Sequence, residues 1–333
     1  MQNTLWRCLV LTAVLISGFL GALSDERRLE SFETLVAKNT HAIPKDLLQW
    51  LDSQTIPLEP SAITGNYEQI KSMVGKISKY IQKPLSTYCR GENHSKNAFL
   101  GIPIFVEKRT PQPIGSPYVN VNEVLTPLQE YIVGQAPHET MVSDFWRLLL
   151  EARASTIIAL CMPSDTGGRR PSYWETSQFP CTISGWKIQQ QGSGEVLDTS
   201  LAIPSQRIVK RVFEATHEGS GETRTITHIH YENWPDDEAP EPLLFYRFIH
   251  LVSKIHPMSS SPLFVHCAAG IGRSGTFVAA HSLCKEIEAF HPLTINIPKR
   301  IVELRMQRAN LVSSTVQFGA IYEAVNLLSS LDR

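Results

Sequence analysis

The chain has 333 residues, of which 42% are hydrophobic and 19% are charged. These proportions are ordinary for a globular protein, and the length leaves room for one large core or two small domains. The formal net charge of −1 excludes a strong overall positive field. We therefore expect no nucleic-acid partner, and any attraction for phosphate must be local.

The N-terminal segment 1–24 differs from the rest of the chain. An arginine precedes an uncharged apolar run at 8–23, and Ala22 and Ser24 are small residues at the positions that a signal peptidase requires. This layout predicts a secretory signal peptide and hence an exported or secreted protein. The run is shorter than the roughly 20 residues that span a bilayer. A membrane anchor at 8–23 and a buried N-terminal helix remain alternatives, and membrane contact is expected only through this segment if it is not cleaved.

Cysteine usage argues against a disulfide framework. The chain has six cysteines, and removal of residues 1–24 would leave an odd number. Cys161 and Cys284 fall in segments that are predicted to be a buried strand and a helix, so we expect free thiols there. An exported chain with free thiols suggests a reducing working compartment, such as the cytosol of another cell.

Residues 25–83 carry apolar side chains at helical spacing, most clearly in the segments 25–37, 44–51 and 64–81. We interpret 25–83 as an N-terminal helical segment that packs on the outside of the domain that follows. A structural collar is the simpler role for it, and a docking surface for a partner is the alternative.

The central part of the chain alternates strand and helix patterns. The continuous apolar run at 155–161 is typical of a buried central strand. Other strands are expected at 118–121, 131–137 and 263–265, and helices at 144–150 and 243–255. Since a helix twice precedes a buried strand, the order predicts an α/β domain with parallel strands at the centre of a twisted mixed β-sheet flanked by helices.

Two strand patterns at 208–216 and 223–231 surround a glycine-containing turn at 218–221, which predicts a hairpin. Two helices are expected near the end of the chain, at 301–306 and 315–328.

The stretch 262–277 organises the chemistry of the chain. It begins as the expected strand, continues through His266 and Cys267 into a glycine-rich turn, and ends with Arg273 at the start of a predicted helix from 274 to 290. Backbone N–H groups and the helix dipole make such a turn an anion site, and the same field stabilises a thiolate. A thiolate beneath a phosphoryl group, whose oxygens are held by an arginine, is suited to nucleophilic attack on phosphorus.

The motif His-Cys-x5-Arg-Ser-Gly at 266–275 resembles the signature loop of the cysteine-dependent protein tyrosine phosphatases. The resemblance implies that Cys267 forms a phosphocysteine intermediate while Arg273 and the loop N–H groups hold the phosphoryl oxygens. His266 would keep the thiolate ionised, and Ser274 would donate to the sulfur as it leaves. The other expected binding residues of the loop are Ala268, Ala269, Gly270, Ile271 and Gly272. The alternative is a glycine-rich turn with a structural cysteine.

The sequence Trp234-Pro235-Asp236 resembles the acid loop of the same family. A tyrosine leaving group needs a proton donor, and hydrolysis of the phosphocysteine then needs a base. One carboxylic acid on a loop that closes over the phosphate can serve both steps. We assign this role to Asp236 and interpret the neighbouring Asp237 as a solvated loop charge.

The segment 95–99 resembles the phosphotyrosine-recognition loop of the family. There Phe99 would wall the cleft and stack on the phenyl ring of the substrate. Ala98 replaces a basic residue, and Gly101 stands where the family usually has an aspartate that orients the peptide. The alternative role for Phe99 is that of a core residue.

Two further segments resemble the family loosely. In the polar loop at 164–170, Arg169 and Asp165 are candidates for a lysine and a glutamate beside the site, but neither enters our set of catalytic residues. Gln317 matches the second glutamine of a V-Q-T-x-x-Q motif, whereas Ser313 replaces the first, which usually positions water. This departure from the family pattern leaves three outcomes open: a slower second chemical step, a second step that uses Gln317 alone, or transfer of the phosphoryl group to another acceptor.

These observations predict a phosphatase-like catalytic domain at 84–333 that hydrolyses phosphotyrosine in substrate proteins, acts as a monomer and needs no metal or other cofactor. Three alternatives remain. A dual-specificity or lipid phosphatase would share the chemistry, although the loop carries no lysine for a lipid headgroup. A phosphotyrosine-binding pseudophosphatase would grip without turnover, and a structural or adhesive exported protein would not need the loop.

Overall fold

The computed structural model describes residues 45–57, 96–97, 118–166, 172–175, 178–197, 206–257 and 261–331. The predicted leader at 1–24, the helices at 25–37 and 64–81, and the positions Ala98, Phe99, Gly101 and Arg169 lie outside these ranges. Within the described ranges, no helix combines the length and the apolar character that crossing a membrane requires.

Helices and strands alternate through most of the described chain. In chain order the helices are α1 (Lys45–Asp52), α2 (Val142–Glu151), α3 (Pro242–Ile255), α4 (Gly272–Phe290), α5 (Ile297–Arg305) and α6 (Thr315–Leu331). The strands are β1 (Ile56–Pro57), β2 (Val121–Leu125), β3 (Glu130–Gln135), β4 (Thr156–Ala159), β5 (Cys181–Ile183), β6 (Trp186–Leu197), β7 (Arg207–His217), β8 (Thr223–Glu232), β9 (Leu263–Cys267) and β10 (Thr294–Ile295).

The main sheet has eight strands in the order β2-β3-β9-β4-β8-β7-β6-β5. The four central strands, β3, β9, β4 and β8, are parallel neighbours, and the outer strands pair antiparallel. Strands β1 and β10 form a separate two-stranded sheet. The architecture confirms the predicted α/β class with a mixed sheet flanked by helices. Because the central strands are parallel, their carboxyl ends meet at one edge, and an open α/β sheet binds ligands at such an edge.

The two faces of the sheet are covered by different helices. Successive residues of a strand point to opposite faces, and in β9 Val265 packs in one cluster whereas Phe264 packs in the other. The first cluster contains residues of α3, α4 and α6, including Phe248 and Phe277. The second contains residues of α2, including Trp146. Burial on both faces explains why the central strands are continuous apolar runs in the sequence.

Most of the predicted elements are present, with three corrections. The expected strand at 118–121 is wrong for 118–120, because β2 begins at Val121, and the polar side chains of Tyr118 and Asn120 bond instead to Asn97. The helix expected at 301–306 starts earlier as α5, because the Asn296 side chain accepts a hydrogen bond from the Lys299 N–H and caps it. Strands β5 and β6 were not expected, since glycines interrupt the pattern of β6.

Candidate active site

Strand β9 ends at Cys267, and helix α4 begins at Gly272. Residues 268–271 between them form a tight loop at the carboxyl edge of the sheet, which we call the phosphate loop. Cys267 is buried, and its Sγ accepts a hydrogen bond from the Gly270 N–H at 3.2 Å. Gly270 has a φ of +71°, and a Cβ at this position would lie 2.1 Å from the Gly134 carbonyl oxygen. Only glycine lets the loop pack this closely against β3.

The guanidinium of Arg273 is fully buried and reaches three parts of the chain. Its Nη1 donates to the Trp234 carbonyl at 2.8 Å and to Asp165 Oδ2 at 2.5 Å, and its Nη2 lies 3.1 Å from Asp236 Oδ1. Burial alone would lower the pKa of Arg273, but the neighbouring groups of Cys267 and the two aspartates contribute to a net rise. Arg273 therefore remains a cation at the floor of the site.

Asp165 has a closer contact with the site than the sequence suggested. It was only a loose candidate, and the structure places its carboxylate in direct contact with Arg273. A 3₁₀ turn at Pro163–Thr166 positions it, and the Met162 N–H donates to the same Oδ2 atom at 3.0 Å. Asp165 thus holds Nη1 of the guanidinium, whereas Asp236 contacts Nη2.

The predicted acid loop follows strand β8 and lies over the site. Trp234 is buried, packs against Tyr231 and Phe245, and donates its indole N–H to the Glu238 carbonyl at 3.0 Å. The side chain of Asp236 remains 55% exposed while it reaches Arg273. An anchored tryptophan beside an accessible carboxylate is suited to a group that must meet both substrate and water.

Asp237 is more than the solvated charge that we expected, although it is exposed. Its φ of +57° makes a sharp turn directly after Asp236. Its Oδ1 lies 3.5 Å from Ser313 Oγ, and its carbonyl oxygen accepts from Ser314 Oγ at 3.2 Å. The acid loop is therefore in contact with the segment that precedes α6.

Gln317 and Ser313 lie together against the phosphate loop. Gln317 is fully buried, and its Oε1 accepts from the Ser313 N–H at 3.3 Å and from Ser313 Oγ at 3.1 Å. A Cβ on Gly272 would lie 2.5 Å from Ser313 Oγ and 3.0 Å from both atoms of the amide. The structure thus brings Gln317 to the predicted site, and Ser313 with it.

The other predicted site residues lie in the loop or directly beside it. His266 is buried, and its Nε2 lies 2.7 Å from the Tyr173 hydroxyl. Ser274 is also buried, and its Oγ has no hydrogen-bond partner among the residues that the structure describes. Ala269 and Ile271 are partly exposed and form the mouth of the loop, whereas Ala268, Gly270 and Gly272 are buried. In the described ranges, no group of three or more His, Cys, Asp and Glu residues is arranged to hold a metal ion.

Arg308 is a supporting residue that the sequence did not reveal. It is fully buried, and its guanidinium donates to the carbonyls of Gly270 at 2.6 Å and Ala269 at 3.3 Å. The same group donates to the side chains of Asn120 and Asn122, both at 3.0 Å. By binding these two carbonyls, Arg308 holds the backbone of the loop whose Gly270 N–H donates to Cys267 Sγ. Nothing in the sequence distinguishes this arginine from one on the surface.

Arg305 supports the neighbouring segment in the same way. It donates to the carbonyls of Leu311 at 2.7 Å and Val312 at 2.5 Å, and the Val312 N–H donates to the Ile271 carbonyl at 3.1 Å. Burial lowers the pKa of Arg305 to about 10. These bonds fix the segment that ends in Ser313 against the phosphate loop.

Comparison with known proteins identifies the family. Residues 93–327 match the family model described as protein-tyrosine phosphatase. Receptor-type tyrosine-protein phosphatase C of Rattus norvegicus is 25% identical over 302 residues, which cover 86% of this chain and 22% of the relative. Tyrosine-protein phosphatase 2 of Dictyostelium discoideum is 31% identical over 204 residues, which cover 59% of this chain and 51% of the relative. The chain thus spans only part of the length of these relatives.

A solved structure of PTPN18 in complex with HER2-pY1196 phosphopeptides has the same fold, with a TM-score of 0.68 and 22% sequence identity. The similarity covers 78% of this chain and 92% of that one. The family model spans most of the chain and includes both the cysteine loop and the acid loop. The chain therefore belongs to the protein-tyrosine phosphatase family.

Proposed function

We propose that this chain hydrolyses phosphotyrosine in proteins through a phosphocysteine intermediate on Cys267. The observation that carries the proposal is the convergence of three groups at the carboxyl edge of the sheet. Cys267 ends β9, and Arg273 lies fully buried in the first turn of α4. Asp236 comes from another loop and lies 3.1 Å from the Arg273 guanidinium. A nucleophile, a clamp for phosphoryl oxygens and a proton donor are the groups that this reaction needs.

In the first step, the thiolate of Cys267 attacks phosphorus and forms an S–P bond. The P–O bond to the tyrosine breaks, and Asp236 delivers its proton to the departing phenolate oxygen. Arg273 and the inward N–H groups of the loop stabilise the charge on the phosphoryl oxygens. The contacts of Arg273 with Asp165 and the Trp234 carbonyl hold its planar fork in place before substrate binds.

In the second step, water attacks the phosphocysteine and the S–P bond breaks. Asp236, now a carboxylate, takes a proton from that water, and inorganic phosphate leaves. The hydroxyl of Ser274, which is buried without a partner among the described residues, is available to donate to the sulfur as thiolate re-forms. Gln317 presents its amide to the same loop.

Specificity for phosphotyrosine is supported by the anchoring of the segment that precedes Phe99. Asn97 Oδ1 accepts hydrogen bonds from the Tyr118 hydroxyl at 2.8 Å and from Asn120 Nδ2 at 2.7 Å. Gln135 Nε2 donates to the Lys96 carbonyl at 2.7 Å. A recognition loop attached to the same framework as the phosphate loop would make the substrate cleft deep. A phosphotyrosine would reach the bottom of this cleft, whereas the shorter phosphoserine would not.

The layout of residues 1–24 supports a further proposal, that the chain is exported through a cleaved signal peptide. We also propose that the chain acts as a monomer. Expression of the full gene in a secretion-competent host, followed by mass spectrometry of the N-terminus, tests export. A mature chain that begins at Asp25 in the medium is expected. A full-length chain in the membrane fraction would favour an anchor at 8–23. Sedimentation velocity of the mature chain tests the monomer.

The decisive experiment compares a phosphotyrosine peptide with the phosphoserine peptide of the same sequence, under reducing conditions and without added metal. We expect turnover of phosphotyrosine alone, and we expect Cys267→Ser to abolish turnover while the peptide still binds. Equal rates for both peptides would indicate a dual-specificity enzyme. A burst of one equivalent of tyrosine without continued phosphate release would instead indicate a pseudophosphatase or a transferase.

A further inference from the structure

The acid loop contacts two adjacent serines at the start of α6. Asp237 Oδ1 lies 3.5 Å from Ser313 Oγ, and Ser314 Oγ donates to the Asp237 carbonyl at 3.2 Å. The loop reaches them through the left-handed turn at Asp237, a conformation that aspartate tolerates better than most residues. These contacts join the loop that carries Asp236 to a segment that Arg305 fixes on the phosphate loop.

The backbone N–H of Ser313 also fixes the orientation of the Gln317 amide. A backbone N–H only donates, so the amide atom that lies 3.3 Å from the Ser313 nitrogen must be the oxygen. The nitrogen Nε2 is then the end without a hydrogen-bond partner among the described residues, although it is buried. Both amide atoms lie against Gly272, and Nε2 is the one available to donate to a phosphoryl oxygen or to water.

The hydroxyl group of Ser313 therefore lies between the acid loop and Gln317. Ser313 Oγ has a single proton to donate, and the two acceptors share it unequally: Gln317 Oε1 lies 3.1 Å away and Asp237 Oδ1 lies 3.5 Å away. We propose that Ser313 and Asp237 form a clasp, in which the Ser313 hydroxyl holds the acid loop in place and, together with the Ser313 N–H, holds the Gln317 amide. The clasp rests on the proposed function, since it positions Asp236 for proton transfer and Gln317 for the phosphoryl group. Ser313 and Asp237 are thus positioning residues.

The clasp predicts unequal effects on different substrates. Asp237→Ala and Ser313→Ala each remove one side of the clasp and leave the Ser313 N–H on Gln317. Each should lower kcat for phenyl phosphate about fivefold, the value of one partly exposed hydrogen bond. The loss for p-nitrophenyl phosphate should be smaller, because its leaving group needs less protonation by Asp236.

A double-mutant cycle measures the coupling. Because Ser313 contacts both Asp237 and Gln317, Asp237→Ala combined with Ser313→Ala should lose no more activity than Ser313→Ala alone. Glu238→Ala is the matched control, because it removes the next carboxylate along the loop without touching the clasp, and it should leave kcat unchanged. The clasp would be refuted if the losses of kcat in the two single variants multiplied in the double variant. It would also be refuted if Glu238→Ala lost as much kcat as the clasp variants, or if kcat fell equally for both aryl phosphates.

Hydrogen exchange of the unliganded full-length protein provides a test that does not need activity. Amides at 234–238 should exchange faster in Asp237→Ala and in Ser313→Ala, to the same extent in the double variant, and at the wild-type rate in Glu238→Ala. Unchanged exchange in the single variants would refute the clasp even if the protein hydrolyses phosphotyrosine. Altered exchange in a protein that lacks phosphatase activity would retain the clasp and refute the proposed function.

Discussion

Asp165 and Asp236 contact different nitrogens of the same arginine, and they should contribute differently to catalysis. Asp165 accepts from Arg273 Nη1 at 2.5 Å with a side chain that is 20% exposed, whereas Asp236 is 55% exposed. The less exposed carboxylate holds the guanidinium, and the more exposed one is free to exchange protons. This difference in environment separates a positioning role from an acid–base role.

For Asp165, we expect Asp165→Ala to lower kcat/KM for a phosphotyrosine peptide about tenfold, because Arg273 loses the partner that holds its fork. Asp165→Asn should retain much of the activity, since the amide oxygen still accepts a hydrogen bond. Ser164→Ala, at the exposed neighbouring position, is the control. The positioning role would be wrong if Asp165→Ala matched the control in steady-state kinetics.

For Asp236, we expect Asp236→Ala to lower kcat for the same peptide about a hundredfold or more, because both chemical steps lose their proton carrier. Arg273 and the loop remain, so the variant should still bind substrate and trap it. Steady-state kinetics and pull-down of a phosphotyrosine peptide measure the two effects. Near wild-type kcat in Asp236→Ala would transfer the acid role to another residue, with Asp237 as the next candidate.

At the scale of elements, the sequence predicted what depends on local pattern. The sequence predicted strand β9, the loop after it and helix α4, because an apolar run, a pair of glycines and a helix start follow one another along the chain. The sequence did not predict the clasp or the contacts of Arg308, because each of these joins residues that are far apart in sequence. Arg308 bonds to Asn122 across 186 positions, and Ser313 meets Asp237 across 76. Pairing at such separations is set by the packing of elements.

Arg308 joins β2, the phosphate loop and the end of α5, so its removal should affect stability and activity together. Arg308→Met removes four hydrogen bonds, three of them buried, and should lower the free energy of unfolding by about 3 kcal/mol. Arg308→Lys should rescue little, because an ammonium group cannot reproduce the planar fork. Urea denaturation and phosphatase assays of both variants test this. Wild-type stability in Arg308→Met would show that the network is dispensable.

At the scale of the whole molecule, the core contains neutral histidines that lower the stability of the fold only at acidic pH. His230 is fully buried on β8, and its Nε2 lies 3.0 Å from the Cys161 carbonyl, which only accepts, so this nitrogen carries the proton. Burial is the main cause that lowers the pKa of His230 to about 4. Burial likewise lowers the pKa of His228 on the same strand well below its usual value.

These shifts determine how stability depends on pH. Between the unfolded pKa of about 6.5 and the folded value of about 4, the unfolded chain binds more protons than the folded one, so stability falls as the pH falls. At pH 5, His230 alone should cost about 2 kcal/mol relative to neutral pH. His230→Gln keeps an N–H donor for the Cys161 carbonyl but does not titrate. Urea denaturation at pH 7 and pH 5 should therefore show a smaller loss for His230→Gln than for the wild type. Equal losses would mean that other groups cause the acid sensitivity.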